Sequence, residues 1–131
     1  MPAPRKRWLW VAAGVLAGGV LGVFGWTLIQ DEPAGPPVEL ELVARDVRYN
    51  GDNPVLHLRR GQPVRLTVRN AEASGNPIFH DFAIAGLGLD PTRALAPGES
   101  AVIEFIPRQP GTYTYHCPLH PGLMNGKIVV E

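Results

Sequence analysis

Two kinds of hydrophobic pattern divide this chain. From Trp8 to Ile29 run 22 residues without a charge, WLWVAAGVLAGGVLGVFGWTLI. Beyond residue 37 the pattern has period two: Val38-Glu39-Leu40-Glu41-Leu42-Val43 and Val64-Arg65-Leu66-Thr67-Val68-Arg69 alternate apolar with polar or charged side chains. That alternation marks strands with one buried face. Shorter runs at 55–58, 78–85, 101–106, 112–116 and 127–130 are further strand candidates. Arg60-Gly61-Gln62-Pro63, Ala96-Pro97-Gly98-Glu99 and Gln109-Pro110-Gly111 separate them as turns. Short strands at this spacing predict an all-β fold, an antiparallel β-sandwich. No helical period occurs after residue 37, and residues 87–96 read as a loop or a single turn of helix.

As a helix, residues 8–29 would extend about 33 Å, enough for a hydrocarbon core of roughly 30 Å. Trp8, Trp10 and Trp26 lie near its ends, where amphipathic rings favour the interface. Arg5, Lys6 and Arg7 precede it and should stay on the cytoplasmic side. The expectation is a cytoplasmic basic segment at 1–7 and one transmembrane signal-anchor helix at 8–29. A Pro-rich linker at 30–37 and a folded domain at 38–131 follow. The protein is then single-pass in the cytoplasmic membrane, with its C-terminal domain on the periplasmic or extracellular side. A cleaved signal peptide is the rival, but its apolar region is usually shorter, and Gln30-Asp31-Glu32-Pro33 is a poor cleavage context. Either exports the domain. Three prolines and a glycine in DEPAGPP read as a short, stiff, extended tether.

Composition changes this picture little. At 131 residues there is room for one modest domain, expected to be monomeric. The net charge is zero, so nothing points to nucleic acid. From residue 31 onward nine Lys/Arg face twelve Asp/Glu, a mildly acidic domain near −3. One cysteine excludes an intramolecular disulfide.

The chemistry lies in the last sixteen residues, which hold that cysteine and the only methionine besides Met1. Cys117, His120 and Met124 place a thiolate, an imidazole and a thioether on one proline-stiffened loop. With a second imidazole they make a trigonal His₂Cys set with a weak axial Met, the donor set of a blue-copper centre. On the strand ending Tyr115-His116-Cys117, neighbours face opposite sides, so His116 points away from any metal that Cys117 faces. His57 alternates with Leu56 and Leu58 and reads as solvent-facing. His80, in Phe79-His80-Asp81-Phe82, is the candidate from a distant strand. Structural zinc is a poor match to this set. A Cys/His nucleophile would need an orienting group and an oxyanion site, and no such motif appears. A binuclear copper site would need a second cysteine.

With these residues in view, the chain resembles the cupredoxins, and within them the amicyanin and plastocyanin branch. The resemblance covers residues 38–131 in outline and 110–131 strongly, through Gly111-Thr112-Tyr113-Thr114-Tyr115-His116-Cys117, His120-Pro121 and Gly126-Lys127-Ile128-Val129-Val130-Glu131. It implies a Greek-key β-sandwich holding one type 1 copper, with ligands His80, Cys117 and His120 and Met124 axial. The implied activity is one-electron transfer between Cu(I) and Cu(II), without enzymatic chemistry. Three departures matter. The His120-to-Met124 interval matches azurins rather than amicyanins or plastocyanins. Asp81 replaces the asparagine that commonly ties the two ligand loops together, and an ionised carboxylate only accepts hydrogen bonds. Pro118 follows the cysteine, while Leu119 stands where those loops have proline. Leu119 thereby regains an amide, expected to donate to the Cys117 sulfur and raise the potential.

The predicted function is a membrane-anchored electron shuttle between redox proteins, such as a cytochrome, an oxidase or a dehydrogenase. Pro118, Leu119, Pro121, Gly122 and Leu123 would form an apolar docking rim around His120, its ring edge toward solvent. The alternatives are a copper carrier or chaperone supplying an oxidase, and a metal-free sandwich used for protein association.

Overall fold

A computed structural model describes residues 33–131; the predicted basic segment and anchor lie outside them. Eight strands follow in order: β1 (Val38–Arg45), β2 (Arg48–Tyr49), β3 (Leu56–Leu58), β4 (Val64–Asn70), β5 (Ala83–Ala85), β6 (Ser100–Phe105), β7 (Gly111–His116) and β8 (Asn125–Val130). They form two four-stranded sheets, ordered β2-β1-β4-β6 and β3-β8-β7-β5. Among the described residues there is no helix, and residues 87–96 are loop. This is the expected all-β sandwich.

The period-two runs become its inner faces. Along β4, Val64, Leu66, Val68 and Asn70 are buried while Arg65 and Arg69 face out. Leu42 and Ala44 of β1 and Ile128 and Val130 of β8 close the core against them. Toward one end of the sandwich the packing is aromatic: Tyr49, Phe82 and Tyr115 meet with ring centroids 5.5–5.7 Å apart. The Tyr115 hydroxyl donates to the Pro54 carbonyl at 2.7 Å. Burial, then the Asp52 charge, pushes that phenol up to about 12. The Tyr115 ring lies across Gly126, its cross-strand partner, where any Cβ would overlap it. Gly126→Ala is therefore expected to destabilise the domain by about 1–3 kcal/mol, as overpacking of a filled core does. Denaturant titration checks this, and an unchanged midpoint would refute the close approach.

The structure departs from the sequence expectations at four places. The sheets are mixed: β1 pairs β4, and β3 pairs β8, in parallel. Parallel neighbours arise because the chain crosses to the opposite sheet between them. The run 78–85 is strand only at Ala83–Ala85, with a single bridge between His80 and Leu95 before it. There the Asp81 carboxylate accepts the Phe82 amide at 2.6 Å, which removes that amide from a ladder. Residues 33–37 are not an extended tether: Ala34 N–H donates to the Gly61 carbonyl at 2.9 Å, and Gly35 bends the chain at φ 114. Finally, β2 is an additional strand, joined to β1 by a two-residue turn, Asp46 and Val47, at φ 52 and 56. Positive φ suits the hairpin twist but is costly for a β-branched residue. Packing of Val47 against the core offsets that cost.

Candidate metal centre

Two loops at one end of the sandwich carry the candidate donors. His80 sits in the connection from β4 to β5, where the buried Asn70 side chain holds the backbone. Its Nδ2 donates to the carbonyls of Ile78 at 2.9 Å and Leu95 at 2.8 Å. His80 and Leu95 exchange backbone bonds of 3.1 and 2.7 Å. Cys117 follows β7 directly. Its amide donates to the Met124 carbonyl at 3.1 Å, and its carbonyl accepts the His120 amide at 3.1 Å. The Leu123 amide returns to the His120 carbonyl at 3.2 Å, and Gly122 takes the turn at φ 79. These bonds curl 117–124 so that its three donor residues face inward.

One donor atom each from His80, Cys117 and His120 lies within 4.8 Å of the others, although His80 is 37 residues from the cysteine. The two imidazole rings are 5.1 Å apart. Cys117 and Met124 are fully buried. His57 is exposed and His116 lies on the opposite side of its strand from Cys117, so neither joins the cluster.

Hydrogen bonding decides which nitrogens are free. The His80 Nε2 is 2.9 Å from Glu72 Oε1, so the Nε2–H donates to the carboxylate. His80 Nδ1 is then a lone-pair donor, buried and without a partner. A buried imidazole nitrogen left bare costs free energy unless something occupies its lone pair. A metal ion is such a partner. His120 repeats the arrangement: its Nε2 lies 3.0 Å from the Phe79 carbonyl, leaving Nδ1 for the cluster.

Glu72, itself buried, was not anticipated from the sequence. Its Oε1 also accepts the Asp46 amide at 2.7 Å, and Oε2 accepts from Asn76 Nδ2 at 3.3 Å. Burial alone would raise its pKa, but the hydrogen bonds from His80 and Asp46, aided by the charge of Arg45, hold it below the usual carboxylate value. An ionised carboxylate behind a ligating histidine orients the ring and increases its basicity. The strained β1–β2 turn thus supplies, through Asp46, an amide that steadies this carboxylate.

The sulfur has a different donor from the one expected. The Asp81 amide, at 3.3 Å, donates to Cys117 Sγ, whereas the Leu119 amide makes no bond to it. The thiolate is approached from the opposite loop because Leu119, 46% exposed, turns outward. Leu119→Pro is therefore expected to leave the reduction potential unchanged, a result voltammetry would read directly. The Asp81 carboxylate is an acceptor, as expected: it takes the Thr92 hydroxyl at 2.6 Å and so ties the β4–β5 connection to the β5–β6 connection, not to the Cys117 loop. The tie between ligand loops comes instead from the Asp81 amide and from His120 to Phe79. The Tyr49 hydroxyl donates to the Asp81 carbonyl, completing the wall behind the sulfur. Burial, then the neighbouring Cys117, keeps that phenol protonated. His120 is half-buried, and its Nε2 is engaged by Phe79 rather than left wholly to solvent.

A model of the cupredoxin-like domain family matches residues 19–130. The chain belongs to that family. In this cupredoxin the donor cluster, with Met124 beside it, has the arrangement of a type 1 copper site, and copper is the cofactor it serves. Amicyanin from Paracoccus denitrificans is 29% identical over 126 residues, covering 88% of this cupredoxin and 92% of amicyanin. A copper-containing nitrite reductase of Neisseria meningitidis is 31% identical over 123 residues, covering 78% of this chain but 32% of the reductase. The chain thus spans about a third of the length of the nitrite reductases it matches. Among solved structures, a reduced auracyanin from Roseiflexus castenholzii superposes with a TM-score of 0.60 at 22% identity, covering 74% of this chain and 99% of auracyanin. That likeness concerns the fold.

Proposed function

We propose that this cupredoxin is a membrane-anchored blue-copper electron-transfer protein working outside the cytoplasmic membrane. His80, Cys117, His120 and Met124 would hold one copper ion. The bound ion supplies one-electron chemistry by alternating between Cu(I) and Cu(II). The observation that carries this reading is the bare, buried Nδ1 of His80, facing a cysteine and a second histidine with its own Nε2 committed elsewhere.

The protein's part is to keep the donors in place. Glu72 and Phe79 hold the rings, the Met124 carbonyl holds the cysteine backbone, and the Asp81 amide holds the sulfur. Ligands fixed in this way need little movement when the ion changes charge. Around His120, Phe79, Leu119 and Leu123 are 47%, 46% and 65% exposed, an apolar rim suited to brief contact with a redox protein. Phe79 extends the rim expected from the sequence. Two imidazoles, a thiolate and a thioether already make up the donor set of a type 1 site, which supports a carrier rather than an enzyme. The uncharged run at 8–29 supports anchoring.

Copper-free protein titrated with Cu(II) is expected to turn intensely blue at one equivalent, with the narrow EPR splitting of a thiolate-bound ion. Cys117→Ser should abolish the colour. Weak d–d bands with rapid copper release would replace this reading with a copper carrier, and no binding would remove both.

A further inference from the structure

The segment that joins the domain to its N-terminal run is held at one defined place. Ala34 N–H donates to the Gly61 carbonyl at 2.9 Å, Gln62 Nε2 to the Pro36 carbonyl at 3.3 Å, and Val38 N–H to the Pro63 carbonyl at 2.8 Å. The turn it docks on is tied in turn to the rest of that pole. The Gly61 amide donates to the Pro107 carbonyl at 2.8 Å, and the Arg60 amide to the Glu131 carbonyl at 2.9 Å. This pole is the far end from the donors. β7 starts there, with Gly111 opposite Val130, and reaches Cys117 six residues later, about 20 Å away at strand rise.

Exposed positive side chains stand on the same pole. Arg59, Arg60 and Arg108 are exposed on its two turns. The acidic groups near them are Glu131 and Glu104, the latter paired with Arg65 at 3.3 Å, and Asp31 and Glu32 directly precede the docked segment in the sequence. In a domain that is acidic as a whole, three of the eight arginines among residues 33–131 stand where the chain leaves toward residues 8–29. Arginines held close to a bilayer are attracted by anionic headgroups.

We infer that the Arg59–Arg60 pole is the face this domain turns to the membrane, against anionic lipid headgroups, with the metal end directed into the aqueous phase. The electron partner is then a protein whose docking face stands off the bilayer, not one embedded in it. This inference rests on the anchored reading above.

The full chain, loaded with Cu(I), is placed in nanodiscs of phosphatidylcholine and phosphatidylglycerol carrying a gadolinium-chelating lipid. Amide signals of Arg60, Gly61 and Gln109 are expected to lose intensity, and those of Leu119, His120 and Leu123 to keep it. Uniform or reversed loss would overturn the orientation. Arg59→Glu with Arg60→Glu should restore intensity at the pole while the chain still sediments with lipid; no restoration would overturn the headgroup contact. A chain that does not sediment with lipid at all overturns the anchor, and this inference with it.

Discussion

Glu72→Ala is expected to weaken copper binding by about ten- to a hundredfold, the usual cost of removing a carboxylate that orients a ligating histidine. The carboxylate sits behind His80 at 2.9 Å and fixes the tautomer that leaves Nδ1 bare. Without it, the His80 ring loses its orientation, and the Asp46 amide that also bonds this carboxylate loses its acceptor. Each buried group left unpaired costs about 1–3 kcal/mol, so the domain should lose stability as well as affinity. Glu72→Gln separates the two contributions. It can still accept from His80 Nε2–H, so most of the stability should return, while the loss of negative charge keeps the affinity below that of the parent. Chelator competition gives the affinities and denaturant titration the stabilities. Equal copper affinity in all three proteins would show that Glu72 has no hold on the metal through His80.

Removing copper is expected to produce the second large effect, on thermal stability. A ligand that binds only the folded state stabilises it by about 4 kcal/mol when free ligand stands a thousandfold above Kd. For a domain of this size that corresponds to a fall in Tm of roughly 15–30 °C on demetallation. The structure supplies the cause. The metal-binding end closes around donors that cannot all be satisfied by protein, since His80 Nδ1 has no partner. The loss should be centred on residues 117–124 and on the connection from β4 to β5, because the strand ladders do not depend on the ion. Hydrogen exchange with and without copper would locate it. Identical melting curves for the two forms would contradict the coupling.

Parity carried much of what could be read in advance. The alternation in β1 and β4 named their buried faces, and the same rule set His116 apart from Cys117. The cluster of Cys117, His120 and Met124 was also open to reading, because all three lie on one short loop between turn-forming residues. Their meeting with His80 followed from the family resemblance, and the distance between donor atoms agrees with it.

Glu72 was not visible in this way. It stands in Ala71-Glu72-Ala73-Ser74-Gly75-Asn76, a polar stretch in which a carboxylate reads as solvated. It is held by the Asp46 amide of the β1–β2 turn, 26 residues away in sequence, and no local period announces that contact. The sulfur's donor was hidden for the same reason. Loop composition pointed to the Leu119 amide, yet the amide of Asp81 reaches Cys117 from across the site. Parallel pairing of β1 with β4 was equally beyond a pattern that reports which face of a strand is buried but not which strand lies beside it.

Side-chain chemistry and short-range periodicity therefore sufficed for the all-β class, the buried faces and the kind of metal chemistry. The packing of distant segments chose the amides and carboxylate that hold the ligands and the end of the domain to which residues 33–37 return. The division has a physical origin: alternation and donor type are properties of neighbouring residues, whereas hydrogen-bond partners across a sandwich exist only once both sheets have closed on a common core.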